Sequence, residues 1–270
     1  MKQFEKYMYQ CFDLAKKGLG SVSPNPLVGC VVLDKNDEVI SVGYHKKYGM
    51  AHAEVNCINS APQNTDFSKT TLVVNLEPCS HFGKTPPCAD LIIKKGIKKV
   101  VIGLVDPNEK VKGNGIKKLK DAGIEVIYPF MEMECTKLNK IFIKNITQKK
   151  PYIAIKTATT IDSKIASDTN SSKWITSNLA RLEVQNLRTS YQAIMTGSGT
   201  ILADNPKLNV RIKGKKSPTR IIFDPNNKAS FDYDVFNNDG SFFILRYVYC
   251  KKWTVWTGRF KLSPYNLFLR

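Results

Sequence analysis

Arginine is missing from the first 150 residues, which hold 23 lysines against 15 acids, a net of +8 out of a formal +18 for the chain. A basic balance of this size invites a nucleic-acid or phosphate-rich partner. The lysines, however, come as scattered pairs (Lys16-Lys17, Lys46-Lys47, Lys94-Lys95, Lys98-Lys99, Lys117-Lys118), with no single stripe interleaved with aromatics. That pattern reads as a solvated surface and points away from nucleic acid. Long apolar runs are missing too. None approaches the roughly 18 residues of a membrane-spanning helix, so no membrane partner is expected. The opening Met1-Lys2-Gln3-Phe4-Glu5-Lys6 has an early acid and no apolar stretch of a signal peptide, so the expected location is cytoplasmic. The seven cysteines are odd in number and follow no secretion signal. This disfavours a disulfide framework and leaves reduced thiols or metal ligands. Cys30, inside the apolar run Leu27 to Leu33, reads as a core residue. No internal repeat is present. With 42% hydrophobic and 24% charged residues in 270, the chain has the balance of a globular protein of one large or two ordinary domains.

Periodicity predicts an α/β fold. Phe4, Met8, Cys11, Phe12 and Ala15 fall at helical spacing, and Gly18 follows as a C-cap would. Strands are predicted at Leu27 to Leu33 and Val39 to His45 across the turn Asp34-Lys35-Asn36-Asp37, then at Thr71 to Leu76, Val100 to Val105 and Ile124 to Tyr128. Helices are predicted near His52 and over Ala89 to Lys95 and Gly115 to Ala122. Strands alternating with helices imply a layered sheet with parallel pairs. Polar residues 147–150 and Pro151 mark a boundary. Beyond it, Tyr152 to Ala158, Ala193 to Thr196 and Arg220 to Phe223 read as strands, and Ser177 as the N-cap of a helix.

The chemistry is concentrated in His52-Ala53-Glu54, Pro78-Cys79 and Pro87-Cys88. One imidazole and two thiolates supply zinc with three ligands and leave a fourth position for water, as catalytic zinc sites do. Glu54, on the first turn of a helix, is placed to carry a proton from that water to a ring nitrogen and on to a leaving amine. The order H-x-E then P-C…C is that of zinc deaminases, here with a wider cysteine gap. A structural zinc closed by His81 is the rival reading, and a zinc-stabilised nucleic-acid-binding module belongs to the same alternative. A deaminase of another nucleobase or nucleoside is the enzymatic one.

The segments Ser23-Pro24-Asn25-Pro26-Leu27-Val28-Gly29, Gly43-Tyr44-His45, His52-Ala53-Glu54, Glu77-Pro78-Cys79-Ser80-His81 and Gly83-Lys84-Thr85-Pro86-Pro87-Cys88 resemble the bifunctional deaminase/reductase family of riboflavin biosynthesis. The resemblance implies a cytidine-deaminase-like α/β/α domain over residues 1–146, with His52, Cys79 and Cys88 on zinc and Glu54 catalytic. It implies 2,5-diamino-6-ribosylamino-4(3H)-pyrimidinone 5′-phosphate as substrate, with Asn25, His45, His81 and Lys84 lining its pocket. A small phosphorylated substrate also gives the lysine surface a steering role.

In the second half, Gly197-Ser198-Gly199-Thr200 lacks the third glycine of a dinucleotide fingerprint, so a Rossmann reading fails. The segments Lys156-Thr157-Ala158, Ser172-Lys173-Trp174-Ile175-Thr176-Ser177, Leu187-Arg188 and Thr200 to Leu208 resemble the reductase domain of the same family. This implies a partial dihydrofolate-reductase-like domain over residues 151–245. Ala158, Trp174, Thr200 and Asp204 would face NADPH. Ser172, Arg188, Leu208 and Arg211 would face the phosphoribosyl substrate, which is reduced to ribityl. Family members also suggest a homo-oligomer. Residues 246–270, with six basic residues, no acid and seven aromatics, are expected to be an atypical tail, and weak NADPH binding is expected with it.

Overall fold

A computed structural model describes residues 2–83, 85–109, 111–169, 171–172, 175–237, 241–248 and 252–258. The chain divides into two units, Met1–Ile155 and Lys156–Arg270.

The first unit is a five-stranded sheet of order β2-β1-β3-β4-β5, comprising β1 (Gly29–Leu33), β2 (Val39–Tyr44), β3 (Thr71–Leu76), β4 (Lys99–Leu104) and β5 (Glu125–Ile127). β1 runs antiparallel to both neighbours, and β3, β4 and β5 are parallel. Because successive strand residues face opposite sides, the apolar runs feed two cores. Cys30, Val32, Leu72, Val74, Val100 and Ile102 pack with α2 (Ala53–Asn59), α3 (Cys88–Lys95) and α4 (Asn114–Asp121). Val31, Leu33, Val73 and Val101 pack with α1 (Glu5–Lys16) and with Cys135 of α5 (Glu132–Leu138). Continuous burial of β1, β3 and β4 explains why these strands read as unbroken apolar runs. α5 and the following α6 (Lys140–Gln148) fall outside the elements predicted from the sequence, although Phe142, Ile143 and Ile146 of α6 keep helical spacing.

Gly43 shows how tightly α2 is seated. A Cβ there would lie 2.3 Å from the Cys57 nitrogen and 2.6 Å from the Ala53 carbonyl oxygen. A side chain at this position would push away the helix whose first turn carries Glu54.

The second unit has a four-stranded sheet of order β6-β7-β8-β9, from β6 (Ala193–Gly197), β7 (Thr219–Phe223), β8 (Phe242–Val248) and β9 (Lys252–Gly258). β6, β7 and β8 are parallel, and β9 is antiparallel. α7 (Asn178–Ser190) begins at Ser177, whose hydroxyl accepts from the Ala180 amide at 3.2 Å, and α8 (Ser198–Asp204) follows β6 directly. β8 runs through the anticipated boundary at 245/246.

One strand expectation is corrected: residues 151–160 form no strand. Their β-branched residues are exposed, Ile153 by 75% and Ile155 by 89%. Strand propensity reflects packing against partners, and this segment pairs with none among the described residues. No helix among the described residues is long and apolar enough to cross a membrane.

Candidate active site

Three chain turns meet at one end of the first sheet. His52 is the N-cap of α2, with extended backbone (φ −72°, ψ 170°), so its ring projects from the helix start. Cys79 lies just past β3, and Cys88 is the first residue of α3. The wide cysteine gap is bridged because the Cys88 amide donates to the Cys79 sulfur at 3.3 Å and the Ala89 amide to the Cys79 carbonyl at 3.1 Å. His52 Nδ1 lies 3.5 Å from Cys79 Sγ and 3.4 Å from Cys88 Sγ. The three ligand atoms all fall within 4.8 Å of one another. Zinc bonds of about 2.3 Å to sulfur and 2.0 Å to nitrogen, at tetrahedral angles, place N and S roughly 3.5 Å apart. The donor set fits zinc in kind and in spacing.

The thiols are electrically unequal. The Cys88 thiol, hydrogen-bonded to Cys79, draws the Cys79 pKa down to about 4, with His52 adding to the effect. Cys88 is pushed up by the same hydrogen bond and by burial. Both thiols must be deprotonated to hold a metal, so metal binding at this site is expected to release protons.

Glu54 sits on the first turn of α2, only 3% exposed. Burial raises its pKa to about 7, with the Cys79 charge adding to the rise. Among the described residues the metal-type cluster has three members, and neither Glu54 nor His81 is one of them. His81 is exposed on the rim of a cavity of about 270 Å³ into which His52, Glu54 and Cys79 open. Asn25 and His45 line the same cavity. His45 Nδ1 lies 3.1 Å from the Ala51 carbonyl and Nε2 lies 3.1 Å from Asn25 Nδ2. The carbonyl fixes the proton on Nδ1, so Nε2 accepts from the Asn25 amide. Burial lowers the His45 pKa, consistent with a neutral ring. Lys84 lies outside the described residues.

The structure adds residues to this wall that sequence reasoning missed. Asp106 and Asn108, in the loop after β4, line the cavity. The loop is held by Glu77, whose buried carboxyl oxygens accept from the amides of Asp106 (3.0 Å), Gly113 (3.0 Å), Gly115 (2.9 Å) and Ile116 (3.2 Å). Glu77 was visible only as part of the E-P-C motif, and nothing in the local sequence ties Asp106 to it. Burial raises the Asp106 pKa from 3.8 to about 6. The folded chain thus binds this proton more tightly than the unfolded chain does. The resulting stability is fully present below 3.8 and is lost as pH rises through about 6. Asp106→Asn is expected to raise the Tm of the metal-free chain by an amount that grows as pH rises from 3.8 through about 6 and is level above that, in thermal melts. A Tm change independent of pH would contradict this.

In the second unit, Thr200 and Asp204 lie one turn apart on α8. Arg188 donates to the Asn209 carbonyl at 2.8 Å, and Gln185 accepts from the Arg211 amide at 3.0 Å, so residues 209–211 dock on α7. Burial lowers the Arg188 pKa, and the nearby Arg211 and Arg220 charges add to it. Three guanidiniums are thereby gathered near Leu208. Ala158 and Ser172 lie on irregular chain, and Trp174 lies outside the described residues.

Residues 1–104 match the family described as the cytidine and deoxycytidylate deaminase zinc-binding region, and residues 151–256 match the RibD C-terminal domain. The riboflavin biosynthesis protein RibD of Actinobacillus pleuropneumoniae is 49% identical over 84% of this chain and 59% of its own length. That of Escherichia coli (strain K12) is 38% identical over 90% of this chain and 69% of its own. A diaminohydroxyphosphoribosylaminopyrimidine deaminase/5-amino-6-(5-phosphoribosylamino)uracil reductase from Thermotoga maritima shares the fold at TM-score 0.86 and 44% identity, over 91% of this chain and 70% of that one. The class is therefore a cytidine-deaminase-like domain followed by a dihydrofolate-reductase-like RibD C-terminal domain. The chain belongs to the RibD family of riboflavin biosynthesis proteins, and it spans about six-tenths of the length of the Actinobacillus relative.

Proposed function

We propose that the first unit hydrolyses the ring amine of 2,5-diamino-6-ribosylamino-4(3H)-pyrimidinone 5′-phosphate, releasing ammonia. One observation carries this reading: an imidazole nitrogen and two thiols converge beside a cavity that His52 and Cys79 line, and Glu54, a buried carboxyl on the same cavity, is not one of the three. When bound, zinc supplies activation of a water molecule near neutral pH. Glu54 takes a proton from the attacking water and delivers it to the ring nitrogen next to the reacting carbon. It then takes the proton of the new carbon-bound hydroxyl and passes it to the amine, which leaves as ammonia while the carbon becomes a carbonyl. A carboxyl whose pKa lies near 7 is matched to both directions of transfer. Asn25, held by neutral His45, orients the ring through its remaining side-chain hydrogen bonds, and Asp106 and Asn108 line the same cavity. His81 is assigned to the open rim, where the ribose phosphate would extend, and Lys84 is proposed to contact the same substrate on the family resemblance alone.

For the second unit the proposal is NADPH-dependent reduction of the ribosyl group to ribityl. Thr200 and Asp204 face the cofactor, and Arg188 and Arg211 face the phosphate, for which a guanidinium fork is suited. The partner of both units is a small phosphorylated pyrimidine, with a homo-oligomer as the assembly and the cytoplasm as the location.

The test is ammonia release from the diaminopyrimidine phosphate by the zinc-loaded chain, coupled to mass analysis of the product. Turnover with amine-to-oxygen exchange supports the reading, whereas its absence with zinc bound rejects it. Fluorescence titration with NADPH reads the second activity separately. Saturable quenching supports it, and no response removes the reductase and leaves the deaminase standing.

A further inference from the structure

Leu27 precedes β1, beyond the point where the sheet's ladder begins at Gly29 paired with Tyr44. Its peptide groups are nevertheless fully engaged. The Leu27 amide donates to Asn139 Oδ1 at 2.8 Å, and the Leu27 carbonyl accepts from Asn139 Nδ2 at 3.0 Å and from Asn75 Nδ2 at 3.0 Å. Asn75 Oδ1 in turn accepts from the Gly29 amide at 2.8 Å. A carboxamide offers one acceptor and two donor hydrogens in a plane, so it can stand in for a peptide of a neighbouring strand. Asn139 is 2% exposed and sits at the junction of α5 and α6, 112 residues from Leu27.

We infer that Asn139 is a positioning residue for the deamination proposed above, acting through the Leu27 peptide to aim Asn25 into the cavity. The inference rests on that reading. Between Leu27 and Asn25 stands Pro26, whose ring fixes φ near −65°. Upstream, the Asn25 amide donates to the Val22 carbonyl at 2.9 Å. Downstream, the Val28 carbonyl accepts from the His45 amide at 3.0 Å. With Leu27 held at both polar groups, Asn25 has little freedom except the direction that places its Nδ2 3.1 Å from His45 Nε2. The same junction carries Phe142, one turn into α6 and also on the cavity wall. Asn139 therefore ties two walls of the site together without touching the substrate.

The experiment uses the full zinc-loaded chain with Asn139→Ala, Asn139→Asp, Asn25→Ala and the double variant Asn139→Ala/Asn25→Ala. Asn139→Ala is expected to raise KM roughly tenfold, the equivalent of about one hydrogen bond, with kcat and zinc content held. Asn139→Asp keeps the acceptor for the Leu27 amide but sets its second oxygen against the Leu27 carbonyl, so KM should rise at least as far as in the alanine variant; it also serves if the alanine variant does not fold. The double variant should be no worse in KM than Asn25→Ala alone, because both changes remove one interaction. A lowered Tm with wild-type KM, or KM effects that multiply in the double variant, would overturn the inference. The Asn25 side-chain amide resonance in NMR provides a readout that needs no turnover. It should move in Asn139→Ala and Asn139→Asp, and an unmoved signal would overturn the positioning role. If the wild type releases no ammonia, the proposed reaction falls, while the link from Asn139 to Asn25 is still decided by that resonance.

Discussion

Glu54→Gln is expected to lose ammonia release by roughly a hundred- to ten-thousandfold while keeping one zinc per chain. The change is nearly isosteric and leaves His52, Cys79 and Cys88 in place, so the loss should fall on kcat and not on metal content. The physical reason is that an amide cannot accept the water proton or hand it on. Glu54 is buried, and its carboxyl is raised to about 7 mainly because burial disfavours the charged form. Steady-state kinetics beside a zinc assay by atomic emission will read both quantities. Retained turnover excludes Glu54 as the proton carrier. Lost zinc would show instead that the carboxyl is a ligand or holds one.

Cys88→Ala is expected to lose the metal and much of the first unit's thermal stability. Cys88 is fully buried as the first residue of α3, and its amide donates to the Cys79 sulfur. Removing its thiol leaves two protein ligands, too few for a stable zinc site. A metal present at a thousandfold above its Kd contributes about 4 kcal/mol to folding. For a unit of this size that corresponds to a Tm lower by roughly 10 °C. Zinc analysis and calorimetry with and without added metal will test this. The wild type should drop to the variant's Tm on chelation, and the variant should not respond to zinc. A variant that keeps stoichiometric zinc would mean that another group completes the sphere.

Much of the site could be read from the sequence because catalytic zinc chemistry needs few residue types in a restrictive order. His52, Glu54, Cys79 and Cys88 stand out by residue type and order, with a proline before each cysteine, and the structure draws the imidazole and the two thiols together. The strands β1, β3 and β4 were legible because they are buried on both faces and so carry unbroken β-branched and aliphatic runs. The same signal misled at Tyr152 to Ala158, where propensity had no neighbouring strand to pair with. Asp106, Asn108 and Asn139 were not legible. Their placement depends on hydrogen bonds to residues far away in sequence, Glu77 for the loop of Asp106 and Leu27 for Asn139. No local period or motif encodes such contacts. α5 and α6 are short, and α6 has no buried residue among those described, so neither continues the strand–helix alternation that marks the elements before them.

Zinc K-edge absorption on the loaded chain, compared between wild type and His81→Ala, tests the coordination set most directly. Two sulfur scatterers at about 2.3 Å and two lighter atoms at about 2.0 Å, unchanged by the substitution, are the expected result. A spectrum that loses a nitrogen shell in His81→Ala, or that holds more than two sulfurs, would mean a sphere closed by protein and would contradict hydrolysis at this metal.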